Sequence, residues 1–154
     1  MTSTAKNVRS EGITIRPARA SDAESIAELS GQLGYPATRA QVNERLRRLV
    51  PGSIHAVFVA ESPGAGVIGW LHVSLTHLLE SETRAEVNGL VVADGQRSLG
   101  AGAKLVEAAE QWARSRGCKN VNVRSNVIRE RAHAFYLRQG YEHYKTQKAF
   151  RKRL

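Results

Sequence analysis

The chain has 154 residues, enough for one domain and short for two. With 42% apolar and 24% charged residues, it is neither a disordered chain, a collagen nor a coiled coil, and no apolar run reaches the roughly 18 residues of a membrane span. The 23 Lys and Arg against 14 Asp and Glu give a net charge of +9, which favours polyanionic partners: nucleic acid, anionic lipid or a phosphate-rich cofactor. Lys145, Lys148, Arg151, Lys152 and Arg153 carry more than half of that excess, so a solvated basic tail explains it as well as a binding surface does.

Residues 1–11 read as a flexible leader without the apolar stretch of a secretory signal, and residues 12–154 as a single domain. Ile13 to Arg16 alternates apolar and polar residues and predicts a strand ended by Pro17. Ser21 and Glu24 fit a capping box that opens a helix with Ile26, Leu29 and Leu33 on its apolar face, stopped at Gly34-Tyr35-Pro36. Thr38 and Gln41 repeat the capping pattern ahead of Val42, Leu46 and Leu49, and Pro51-Gly52 ends that helix. Ile54 to Ala60 and Val67 to Leu75 predict two strands of a hairpin joined through Ser62 to Gly66, then a polar loop from Thr76 to Thr83. A third strand of the middle region runs from Ala85 to Val92. From Gly100 a helix places Leu105, Ala109, Trp112 and Ala113 on one face and stops at Gly117. Val121 and Val123 mark a short strand, Arg131 to Gln139 a short helix, and Tyr141 to Phe150 one or two further strands. This order predicts an α/β (α+β mixed) fold: a central mixed, twisted sheet of about six or seven strands with about four helices on both faces.

The segment Gln96-Arg97-Ser98-Leu99-Gly100-Ala101-Gly102 joins a strand to the long helix. Glycines let the backbone approach a ligand closely, and a helix N-terminus favours an anion. Arg97 adds positive charge, so the loop suits a pyrophosphate. It is not a Walker A loop, because Ala103-Lys104-Leu105 follows Gly102. It is not a dinucleotide fingerprint either, because Leu105 stands where a third glycine belongs and Arg124-Ser125 ends the next strand.

Taken with what surrounds it, this loop resembles the acetyl-CoA motif of the GNAT superfamily of N-acetyltransferases. Leu90-Val91-Val92 is followed five residues later by Arg97 and then by Gly100-Ala101-Gly102, as in the family pattern Gln/Arg-x-x-Gly-x-Gly/Ala. Ser98 departs from the second glycine that many members carry there. Downstream, Ser125-Asn126, Arg129, Ala132-His133-Ala134-Phe135-Tyr136 and Gly140-Tyr141 are similar to a second family segment. The resemblance covers about residues 13–150 and implies a GNAT-like acyl-CoA N-acyltransferase fold in a single N-acetyltransferase domain. It also implies acetyl transfer from acetyl-CoA, as co-substrate, directly to a primary amine. By that resemblance Leu90, Val91 and Val92 hold the pantetheine arm and thioester. Arg97, Ser98, Leu99, Gly100, Ala101, Gly102 and Ala103 hold the pyrophosphate, Asn126 binds the pantetheine amides, and Tyr136 lies by the sulfur.

The chemistry makes its own demands. An alkyl ammonium has a pKa near 10.4, so less than about 0.1% is nucleophilic at neutral pH, and the enzyme must help remove a proton. Glu86 is the candidate base, on the strand that leads to Val92; it shares a face with Asn88, Leu90 and Val92 unless a bulge intervenes. Tyr136 is the candidate acid for the leaving thiolate, and an N–H of Val91 or Val92 the candidate oxyanion donor. Glu80 and Glu82, in the loop before the Glu86 strand, are candidate contacts for a cationic substrate. His55, His72, His77, His133 and His143 have no metal-ligand spacing, so no metal is expected. Cys118, the single cysteine, reads as a small buried hydrophobe, and one cysteine suits a cytoplasmic setting. The expected partner is a small cationic amine, with no membrane; a homodimer is left open. Two rival functions stand: a basic nucleic-acid-binding module, against which the 6% aromatic content and lack of a recognition motif count, and an inactive acyl-CoA-binding sensor, against which the presence of both Glu86 and Tyr136 counts.

Overall fold

The computed structural model describes residues 12–154; the leader expected over residues 1–11 lies outside them. The described chain forms two units, one ending at Arg124 and one running from Ser125 to Leu154.

The first unit holds one mixed sheet in the order β1 (Thr14–Pro17), β2 (His55–Ser62), β3 (Gly66–Leu78), β4 (Ser81–Val92), β5 (Val121–Val123). Neighbours from β1 to β4 are antiparallel, and β5 runs parallel to β4. Helices α1 (Ala23–Gln32), α2 (Arg39–Leu49) and α3 (Ala101–Ser115) complete the unit. Cross-strand partners share a face. Val57, Val59 and Trp70 therefore look towards α1 and α2, where they pack with Ile26, Ala27, Val42 and Leu46. Gly69, Leu71 and Val73 look the other way, towards α3, whose Leu105, Val106, Ala109 and Ala113 are buried. Helices thus cover both faces, as the order of elements predicts.

Thr38 accepts from the Gln41 N–H at 3.1 Å and the Gln41 side chain accepts from the Thr38 N–H at 2.9 Å, so the second capping box forms. The first does not. The chain enters α1 through a 3-10 turn, Ala20–Asp22, and Asp22 rather than Ser21 accepts there, from the Arg19 N–H at 2.7 Å. Asp22 is buried and also takes two bonds of 2.8 Å from Arg16, which reaches Glu61 at 2.9 Å. That charge network outcompetes a local serine cap. Above all through the Arg16 hydrogen bonds, and against the cost of burial, the Asp22 carboxyl is held below its ordinary pKa. A depressed carboxylate contributes stability above its unfolded pKa of about 3.9 and loses it as pH falls through the folded value. Asp22→Ala, which breaks a buried pair, is expected to cost roughly 3–5 kcal/mol. Asp22→Asn is expected to flatten the fall of thermal midpoint between about pH 5 and pH 2, measured by circular dichroism.

Two expectations change. The Thr76–Thr83 loop is instead the tip of the β3–β4 hairpin, with Leu78 paired to Ser81, because strand pairing continues past Leu75 through Thr76. Tyr141 to Phe150 form no strand, so the sheet has five strands among the described residues rather than six or seven. That stretch lacks a period-two apolar pattern, and Phe150 is 91% exposed. In the second unit, α4 (Glu130–Arg138) is the one regular element among the described residues.

Candidate active site

The decisive local feature is a β-bulge. On β3 and β4, Val73 pairs with Val87 but His72 pairs with Gly89, leaving Asn88 as an extra residue. An extra residue reverses the in-out alternation beyond it. Glu86, partner of Ser74, therefore shares a face with Gly89 and Val91, while Leu90 and Val92 lie on the α3 face. The common face expected for Glu86, Asn88, Leu90 and Val92 is broken at Asn88. Gly89 has no room for a side chain, because a Cβ there would stand 2.8 Å from the Trp70 ring.

Glu86 is a buried carboxylate on a polar strip of the α1/α2 face. One oxygen meets Arg124 Nε at 2.7 Å, and the other accepts from the Thr76 hydroxyl at 3.4 Å. Beside it the Asn88 amide donates to the Ser74 hydroxyl at 2.8 Å. Further along, His55 Nδ1 and His72 Nε2 lie 3.0 Å apart. Burial, and then the charge of His55, push His72 down to about 4, so its ring is neutral at working pH. Neither Arg124 nor the histidine pair was visible in the sequence, where nothing marked which residues cross from strand to strand.

The α3 side of β4 has a different character. β5 pairs only with Ala85 to Val87, so from Asn88 onward no described strand covers that edge. The Ala93 N–H donates to the Ile68 carbonyl on β3 at 2.7 Å. By strand alternation the N–H of Val91 also faces β3, while those of Leu90 and Val92 face the open edge. Of the two expected oxyanion donors, Val92 is the one so oriented. The chain then turns through Asp94 and Gly95 into a 3-10 turn, Arg97–Leu99, and Gly100, at φ 81°, opens α3. Such a φ is adopted freely only by glycine. The helix ladder begins with the Lys104 N–H on the Gly100 carbonyl at 3.1 Å, so Ala101, Gly102 and Ala103 stand at the positive end of the helix dipole. Arg97 is held by Asp94 at 2.8 Å and by the Val92 carbonyl at 3.4 Å. A Cβ on Gly100 would meet no heavy atom within 4 Å. Open space, helix amides and a fixed guanidinium fit the diphosphate of a coenzyme.

Glu80 and Glu82 are exposed at the hairpin tip, where Glu82 pairs with Lys119 at 3.2 Å. In the second unit Asn126 accepts from the Ile128 N–H at 3.1 Å through its side chain, shaping the turn before α4. The Tyr136 ring stands edge-on to Phe135 and Tyr141, with centroids 5.2 and 5.7 Å away. Burial, opposed in part by Arg129, pushes the Tyr136 hydroxyl up to about 12. No group of three or more His, Cys, Asp or Glu that could hold a metal occurs among the described residues, nor a helix long and apolar enough to cross a membrane.

Residues 24–141 match the acetyltransferase (GNAT) family. The chain belongs to this family. This GNAT chain is 30% identical over 142 residues to an aminoalkylphosphonate N-acetyltransferase of Salmonella typhimurium, covering 88% of the chain and 90% of the relative. It is 26% identical over 146 residues to an aminoglycoside N(6')-acetyltransferase type 1 of Klebsiella aerogenes, covering 91% and 96%. Its fold matches that of the aminoglycoside N-acetyltransferase AAC(6')-Iy in complex with CoA, with a TM-score of 0.82, 18% identity, and coverage of 92% and 95%. The GNAT chain is accordingly an acetyl-CoA-dependent N-acetyltransferase.

Proposed function

We propose that the acceptor is a small cationic molecule with a primary amine, and that Glu86 takes the ammonium proton, directly or through water. The observation that carries this reading is the burial of Glu86 on the sheet face beside Ser74 and Asn88, with only an exposed arginine, Arg124, seated against it. A carboxylate taken out of water calls for a cationic partner, and an ammonium is one. The name of one relative, an aminoglycoside N-acetyltransferase, supports a cationic acceptor, and that of another, an aminoalkylphosphonate N-acetyltransferase, supports a small primary amine.

When bound, acetyl-CoA supplies a thioester whose acetyl carbon the free amine attacks. In this reading the Leu90 and Val92 N–H groups hold the arm and the carbonyl oxygen as it gains charge. Arg97 and the backbone from Ser98 to Ala103 bind the diphosphate, and Asn126 bonds the pantetheine amides. Tyr136 meets the leaving sulfur. A phenol near 12 stays protonated at any working pH. Full proton transfer from it to a thiolate of ordinary pKa near 8.5 runs uphill by roughly 5 kcal/mol. Tyr136 therefore serves as a hydrogen-bond donor; the nitrogen loses two protons in becoming an amide, the first to Glu86 before attack and the second after it, and the second balances the thiolate. Glu80 and Glu82 add a negative fringe that draws in cations, which salt screens. A cytoplasmic setting, where acetyl-CoA is made and a lone thiol stays reduced, completes the reading.

Release of CoA from acetyl-CoA with a panel of kanamycin, spermidine, 2-aminoethylphosphonate, amino acids and a lysine peptide tests the acceptor class. Turnover with kanamycin or spermidine, and not with the peptide, is expected; turnover with 2-aminoethylphosphonate alone keeps the small amine and overturns the cationic class. Turnover with the peptide alone overturns the reading, and hydrolysis with none identifies a sensor. Tyr136→Phe is expected to lower kcat about 10- to 100-fold with CoA affinity kept, since one hydrogen bond to the developing charge is lost; single-turnover rates and calorimetry check it.

A further inference from the structure

The partner of Glu86 is unusual in its exposure. The Glu86 side chain is 8% exposed, whereas that of Arg124, 2.7 Å away, is 81% exposed. A long exposed side chain gives up such a contact easily, because water receives its charge. The carboxylate has no such option and must keep a cation. Arg124 follows directly on β5, whose Asn122 is the parallel partner of Glu86, so the guanidinium arrives at the strip by topology rather than by packing. Arg84, two residues before Glu86 on the same strand face, has its Nε buried. With Arg124 seated, the carboxylate charge is already neutralised, and an incoming ammonium meets a like charge.

We infer that Arg124 is a surrogate for the substrate ammonium: it occupies Glu86 in the empty enzyme and is displaced by the cationic amine, so that it sets the affinity for cationic acceptors. This rests on Glu86 being the group that receives the ammonium. The seated form lowers apparent affinity by the fraction of molecules in which Glu86 is vacant. Removing the surrogate tightens binding without touching the groups that act on the thioester.

Calorimetric titration with 1,3-diaminopropane, a minimal dication, reads this directly. Arg124→Gln is expected to bind it about three- to tenfold more tightly than the unmutated enzyme, and to show a matching fall in the KM of a cationic acceptor, with kcat within about twofold. The same diamine raises the thermal midpoint of Arg124→Gln more than that of the unmutated enzyme. Should Arg124→Gln fail to fold, Arg124→Lys serves: a point charge holds a carboxylate less well than the planar guanidinium, so the affinity rises by a smaller factor. Equal or weaker diamine affinity in the folded variant, absence of binding in both included, overturns the surrogate role. A fall in kcat with KM unchanged also overturns it and makes Arg124 a positioning residue for Glu86. Failure of the base assignment shows elsewhere, in an unaltered pH profile of Glu86→Gln, and leaves the diamine result to stand or fall alone.

Discussion

Glu86→Gln lowers the rate of acetyl transfer at pH 7 by about 10²–10⁴-fold, the usual worth of a positioned base, and recovers as pH rises. Glutamine keeps the size of the side chain and a carbonyl for the Thr76 hydroxyl, which lies 3.4 Å away, but it cannot take a proton. Between about pH 7 and pH 10 solvent itself supplies an increasing fraction of free amine, because the acceptor titrates near 10.4. The variant therefore climbs towards the unmutated rate over that range. A group that only attracts the cation leaves a different trace, a raised KM that worsens with salt. The pH–rate profile, with the thermal midpoint followed in parallel, separates these outcomes, and a flat loss in neither parameter removes Glu86 from the chemistry. The neighbouring His72 is no substitute base, because at about 4 it takes up almost no protons at pH 7.

Gly100→Asp reduces acetyl-CoA affinity by about 10²–10³-fold. Two unit charges 4 Å apart repel by about 4 kcal/mol at an effective dielectric of 20, and each 1.4 kcal/mol is tenfold in affinity. Gly100 sits at φ 81°, a conformation that Asp and Asn tolerate better than other residues. A Cβ there meets nothing within 4 Å, so the variant is expected to fold. Gly100→Asn carries the same backbone cost and no charge, and is expected to lose less than about tenfold. Calorimetry on both isolates the electrostatic part. Equal affinity of the Asp and Asn variants takes the diphosphate away from the start of α3.

The resemblance in the Leu90–Ala103 segment was legible because its parts are consecutive: a strand, a glycine turn and a helix start are all local patterns. The family match over residues 24–141 agrees with it. The amphipathic faces of α1, α2 and α3 were legible for the same reason, since 3.6-residue periodicity needs no knowledge of the partner. The Thr38–Gln41 box was readable too, because both of its bonds close within one turn.

What surrounds Glu86 was not local. A single extra residue at Asn88 leaves no trace in composition, yet it decides which side chains share the Glu86 face. Arg124 lies 38 residues from Glu86 in the chain, and it meets the carboxylate only because β5 enters the sheet parallel to β4. The His55–His72 contact follows from the β2–β3 register, and Asp22 displaced the serine cap through Arg16, on another element. The sequence by itself determined the periodic elements and the glycine turn that opens α3, whose interactions close within a few residues. Only the tertiary structure decided the faces, the charge partners and the open edge of β4, because strand register is a long-range choice and one residue of slip exchanges the two sides of a sheet.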